Sequence, residues 1–227
     1  MNIDILINIK TKDIEEKTPN DVVIEICNSI NVAAALDFGD WHDMTQLPKI
    51  LYKEPKSKVD ILHELIHLEK FFVDQYSIVA TNDKNLHPRL DIFKNIPEDY
   101  VAHKIIYEYG FNPIDKQWFD RNKTDLSQSD NEVAANLINY HAFCEYRPEY
   151  KNQLNSFRKS CEEQKILVYE KAIKVIDIIE KMDYNNKSSY NNLVKEIIKI
   201  FEPEYYQSHK IYPSYIFHNG QRWQFNR

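Results

Sequence analysis

The chain has 227 residues, 43% hydrophobic and 28% charged, with a net charge of −6 in which acids and bases are interspersed. This balance describes an ordinary globular protein long enough for a sizeable core, and it offers no electrostatic ground for nucleic acid or an anionic membrane as partner. With 3 glycines and no GxGxxG or P-loop pattern, the usual nucleotide-cradling turns are excluded.

In chain order, Ile3, Ile5, Ile7 and Ile9 alternate with Asn2, Asp4, Leu6 and Asn8, a period of two that predicts a strand with one apolar face. Residues 11–20 are charged and end in a Thr18-Pro19-Asn20 loop. Val22 to Cys27 is β-branched enough for a strand, but Ala33, Ala34 and Ala35 favour one helix running to Leu36, and the helix is the preferred reading. Phe38-Gly39-Asp40 breaks it. Ile50-Leu51-Tyr52 is a short strand, followed by a Glu54-Pro55-Lys56-Ser57 turn. Ser57 is then the N-cap of a helix uninterrupted by Gly or Pro as far as Gln75.

Thr81 to Arg89 reads as loop. Pro97-Glu98-Asp99 has the makings of a helix start, with Pro in the first turn and acids at the positive end of the dipole, and Gly110 ends that helix. Residues 121–130 are polar loop, and Asp130 is the candidate N-cap of a helix from Asn131 to about Tyr146. From Glu149 onward, apolar residues at helical spacing predict helices within Leu154–Met182 and over Leu193–Phe201. Asn219-Gly220 lies between Tyr215–His218 and Gln221–Phe225, a hairpin signal because both central turn residues need φ > 0.

The residues with the clearest chemistry lie in Val59–Phe72, VDILHELIHLEKFF. His63 and His67 are four apart, one turn apart on the same helix face, so both imidazoles can grip one metal ion. Glu64 projects about 100° round from His63, within reach of a water on that ion. Val59, Leu62, Leu65, Ile66 and Val73 form one apolar arc, and the two histidines sit at its border.

This HELIH on an apolar helix resembles the zincin metallopeptidases of the small gluzincin type. The resemblance implies a zinc ion (Zn2+) held by His63 and His67, with Glu64 as general base. It also implies a strand beside the cleft that pairs with extended substrate, a part residues 50–53 would play. Glu69 stands two residues after the motif, where zincins often carry an apolar residue.

A catalytic zinc usually has three protein ligands and a water. On the helix from Pro97, Asp99 and His103 are four apart and share a face, and Glu98 is adjacent. Asp99 is the preferred ligand, with His103 assisting an oxyanion; Glu98 or His103 could ligate instead, and acids complementing the helix dipole are the plain alternative. The second place is Glu132-Val133-Ala134-Ala135-Asn136, which resembles the Glu-bearing helix of the ImmA/IrrE-like peptidases and would make Glu132 the ligand with Asn136 behind it. A solvated helix stripe is the alternative there. His42, His87 and His141 are further candidates, although a lone histidine is more often structural than a ligand.

The expected fold is α+β and zincin-like: a small N-terminal β-sheet packed on the HExxH helix, a mainly helical remainder and a C-terminal β-hairpin. Residues 1–150 would form the metallopeptidase domain, and residues 151–227 a helical extension with the hairpin in the same globule. The expected function is zinc-dependent hydrolysis of a peptide or protein substrate. An inactive zincin-fold binding protein and a zinc hydrolase of a non-peptide bond are the alternatives. Cys27, Cys144 and Cys161 form no CxxC, and MNIDILINIK has neither the basic start nor the apolar run of a secretory signal. No segment approaches ~18 uninterrupted apolar residues. A soluble, cytoplasmic protein with reduced thiols is therefore expected.

Overall fold

Helix α1 (Ile3–Lys17) opens the chain where alternation predicts a strand. Asn2 caps it by accepting the Asp4 amide at 2.8 Å. Its inward face is Leu6, Lys10 and Ile14 rather than the odd-numbered isoleucines, and Ile5 and Ile9 are exposed. The computed structural model describes residues 2–18, 20–37, 47–55, 57–121, 124–218 and 223–226. The chain divides into two compact units, one of Met1–Ser77, Ala102–Pro113 and Ser214–Arg227, the other of Ile78–Val101 and Ile114–Pro213. Residues on both sides of 150 thus fall in the second unit, and Ser214–Arg227 groups with the first.

In the first unit, β1 (Ile24–Ile26), β2 (Ala34–Asp37) and β3 (Lys49–Tyr52) form a sheet of order β1-β3-β2. The helix expected from Val22 to Leu36 is therefore two strands. The backbone turns after Cys27, where the Ile30 amide reaches back to the Cys27 carbonyl, and the alanines pair antiparallel with β3, Ala35 opposite Leu51. Ladder pairing outweighs a few tenths of a kcal/mol of alanine helix propensity per residue. β1 pairs parallel with β3, Ile24 opposite Ile50. As the central strand, β3 has both edges occupied among the described residues, so a substrate-pairing edge does not lie at residues 50–53.

Helix α2 (Lys58–His67) follows, with the Ser57 side chain accepting the Asp60 amide. It packs against α1, β2 and β3, so the expected small sheet does lie on the HExxH helix. Its core side is Ile61, Leu62, Leu65 and Ile66, all 0% exposed. The helix does not stop at His67. It widens into a π-helix, Leu68–Val73, in which the Asp74 amide bonds the Glu69 carbonyl five residues back at 2.8 Å.

β4 (Ile78–Thr81) and a 3₁₀ turn at Lys84–Leu86 occupy a stretch partly read as loop. Helix α3 runs His87–Glu108. Pro97 thus lies inside a helix rather than opening one, because buried Phe93 and Ile96 extend the apolar face upstream. Gly110, at φ 87°, ends α3: the Gly110 amide bonds Tyr107 and the Phe111 amide bonds Ile106, a Schellman closure. α3 carries the chain from the second unit into the first at Val101–Ala102.

The second unit is largely helical: α4 (Lys116–Arg121), α5 (Asp130–Phe143), α6 (Lys151–Gln164), α7 (Ile166–Lys181), α8 (Lys187–Phe201) and α9 (Pro203–Gln207). α7 packs on α5, α6 and α8 through fully buried Ala172 and Val175, and α8 brings Leu193, Val194 and Ile197 at helical spacing. α4 begins within the stretch before residue 121 that carried no expectation. β5 (Ile211–His218) pairs antiparallel with β6 (Trp223–Asn226), Ile216 opposite Phe225, in a sheet of order β4-β5-β6. The C-terminal strand pair is as expected, while its Asn219-Gly220 turn lies outside the described residues, as do Phe38-Gly39-Asp40 and His42. Among the described residues no helix is long and apolar enough to cross a membrane.

Candidate metal centre

Two helices build the site. On α2, His63 is half-buried and His67 buried, and their Nε2 atoms stand 2.6 Å apart. The i, i+4 spacing does this, because both rings leave the same face of one helix. On α3, His103 is 6% exposed and its ring centroid lies 5.0 Å from that of His63. Asp99 stands one turn before His103 on the same helix and is half-buried. One ligand atom each from His63, His67 and Asp99 lies within 4.8 Å of the other two.

Two imidazole nitrogens and a carboxylate oxygen match the donor set of a catalytic zinc site that keeps a position open for water. Nitrogens at 2.0–2.1 Å from a tetrahedral ion stand roughly 3.3 Å apart. The two ring nitrogens therefore need to part by about 0.7 Å to accept an ion, within the reach of small χ rotations. Glu64, half-buried, follows His63 directly and projects from the neighbouring strip of the helix surface.

The other candidates lie elsewhere in the hydrogen-bond pattern. Glu132 closes a capping box at the start of α5: its carboxylate accepts the Ser129 amide at 2.9 Å and the Ser129 hydroxyl at 2.6 Å. Those bonds hold its carboxyl below the ordinary range. Ser129, not Asp130, is thus the N-cap, and Glu132 is not part of the histidine cluster. Asn136 donates to the Gln128 side chain at 2.8 Å. Glu98 is buried beside Asp99. His87 is exposed, and His141 faces Glu180 at 2.9 Å.

Two features escaped the sequence reading. The Phe71 ring lies 5.4 Å from that of His67, tilted 32°. Glu69, 6% exposed, accepts a hydrogen bond from Lys10 at 2.6 Å, with the Lys17 ammonium 3.6 Å away. Its place after HELIH was the one visible signal. Burial pushes the Glu69 carboxyl up, but the Lys10 hydrogen bond and the charges of Lys10, Lys70 and Lys17 outweigh it and hold it below 4.5. For Lys10 burial pulls down, and Glu69 leaves the net shift upward from 10.5.

No protein-family model, no curated protein and no solved structure matches this chain.

Proposed function

We propose that this chain is a zinc-dependent hydrolase of peptide bonds, with His63, His67 and Asp99 holding the ion and Glu64 as general base. One observation carries the reading: an HExxH helix and a carboxylate distant in sequence bring three ligand atoms within 4.8 Å of one another. A bound zinc would supply Lewis acidity to the scissile carbonyl and acidify a water. Glu64 takes the water's proton and delivers it to the departing amine. His103, buried beside His63, donates a hydrogen bond to the oxygen that gains charge in the transition state. Glu64 has no evident duty in a purely structural metal site, which favours turnover over a scaffold.

The test is zinc content together with cleavage of a mixed peptide library. The purified chain should carry close to one zinc, and His63→Ala and Asp99→Ala should lose it while Glu132→Ala keeps it. Glu64→Gln should keep zinc and lose roughly a hundred- to ten-thousand-fold in rate. Full activity in Glu64→Gln would remove it as the base. Stoichiometric zinc in His63→Ala would remove the site.

A further inference from the structure

We infer that Glu69, clamped by Lys10, is a positioning residue for His67, acting through the π-helical turn after the motif; this rests on the metal reading above. The metal helix reaches its second histidine at its last residue and widens at the next. π turns are rare, occur mostly as single-turn bulges of α-helices and are frequent at functional sites. Here charged contacts from α1 fix both of its ends. Near the start, the buried Glu69 carboxylate takes the Lys10 hydrogen bond at 2.6 Å and the Lys17 ammonium at 3.6 Å. Beyond the end, Asp74 lies 3.9 Å from Lys17 and 3.1 Å from Lys70. At the other end of the helix pair, Lys58 meets Asp4 at 2.7 Å, so α1 braces both α2 and its extension.

The widened turn decides where residues after His67 point. Phe71 comes to lie against the His67 imidazole, and Phe71 also meets Tyr76 edge-on at 6.4 Å. Phe71 and Tyr76 are each 3% exposed, so the wedge has little room to shift. Lys10 thus fixes Glu69, Glu69 fixes the turn, the turn seats Phe71, and Phe71 limits the tilt of a ligand ring. Ligand orientation by surrounding groups is a general determinant of metal affinity, and losing such a group typically weakens binding by about 10–100-fold.

The experiment compares wild type, Glu69→Gln, the apolar double variant Lys10→Met with Glu69→Leu, and Phe71→Leu. Zinc dissociation constants come from competition with a chromophoric chelator, at a temperature where circular dichroism shows every apo protein folded. The visible spectrum of each cobalt(II)-substituted protein reports ligand geometry. The double variant puts apolar packing where the pair stood, a replacement that is often neutral or stabilising for a buried ion pair. It separates melting temperature from affinity.

The expected result is zinc binding weakened about tenfold in the double variant and in Phe71→Leu, with altered cobalt spectra. Glu69→Gln should follow them where it folds. Wild-type affinity and spectrum in the double variant or in Phe71→Leu would overturn the inference alone, provided wild type binds zinc and His63→Ala does not. A wild-type protein that binds no zinc would overturn the metal reading and the inference with it.

Discussion

Replacing Lys10 with Met keeps most of the buried stem and deletes its charge, leaving the Glu69 carboxylate with its best partner gone. The side chains of the two residues are 12% and 8% exposed, and their contact is 2.6 Å, so solvent cannot take over that partner's role. Breaking a buried pair on one side costs about 3–5 kcal/mol. Lys17, 3.6 Å from the other carboxylate oxygen, compensates in part and sets the expectation at the lower end, about 3 kcal/mol. For a chain of this length that is a fall in melting temperature of roughly 6–12 °C. The effect must also depend on pH. A carboxyl held below 4.5 in the folded state adds stability above 4.5 and loses it as pH falls through its folded value. An ammonium held above 10.5 adds stability below 10.5 and loses it as pH rises through its folded value. Thermal unfolding of wild type and Lys10→Met over a pH series from 7 down into acid is the assay. The gap should be widest at pH 7 and shrink as pH falls through the folded value of the Glu69 carboxyl. A gap below about 2 °C at pH 7, or one that stays constant down to acid unfolding, would refute the buried-pair reasoning.

Two further expectations concern the second unit. Ser129→Ala removes the hydroxyl half of the α5 capping box, leaving the residue-129 amide to donate to Glu132, and should cost about 1 kcal/mol. Zinc content should be unchanged; a loss of zinc would restore Glu132 as a ligand candidate. Burial pushes the Cys144 and Cys161 thiols up to about 11, with Lys151 and Lys165 opposing it from nearby. A thiol-specific disulfide reagent at neutral pH should therefore titrate the half-buried Cys27 in the native protein and all 3 cysteines in denaturant. Rapid reaction of all of them in the native state would show that the α5–α7 core opens readily.

Where local and tertiary demands agree, the elements could be read from the sequence. Ser57, the apolar arc of α2 and the missing Gly and Pro all favour the helix that forms, and Gly110 ends α3 because only its φ of 87° permits the Schellman closure. The spacing that sets Asp99 and His103 one turn apart on α3 was legible in the same way, because both lie within one uninterrupted helix. The failures came where pairing partners lie far away in sequence. Ala34 and Ala35 are helix formers in isolation, and β3, some fifteen residues on, makes them a strand. Pro97 followed by two acids fits a helix start, but Phe93, stacked 4.4 Å from Phe201, belongs to a face that begins a turn earlier. Glu132 looked like a ligand because a capping-box glutamate and a metal-binding glutamate carry the same residue type at a helix start.

The misreading of α1 has the most instructive cause. Its inward stripe runs from half-buried Ile3 through buried Leu6, half-buried Ile7 and Lys10 to buried Ile14, a period near 3.6, but the stripe carries a lysine near its centre. A charge at a core position erases the helical signal and leaves the accidental alternation of Ile3, Ile5, Ile7 and Ile9 as the stronger pattern. Lysine stands there because Glu69 stands opposite, and Glu69 is itself a charge at a buried position just after the metal motif. Each is an error in a hydrophobic pattern taken alone, and together they form a hydrogen-bonded pair on which α1 and the π-helical continuation of α2 meet. Conflicts between pattern and fold are expected where a structure gives up local consistency for a site. Two such conflicts, Lys10 and Glu69, resolve each other where α1 meets the HExxH helix, and the second lies two residues from His67.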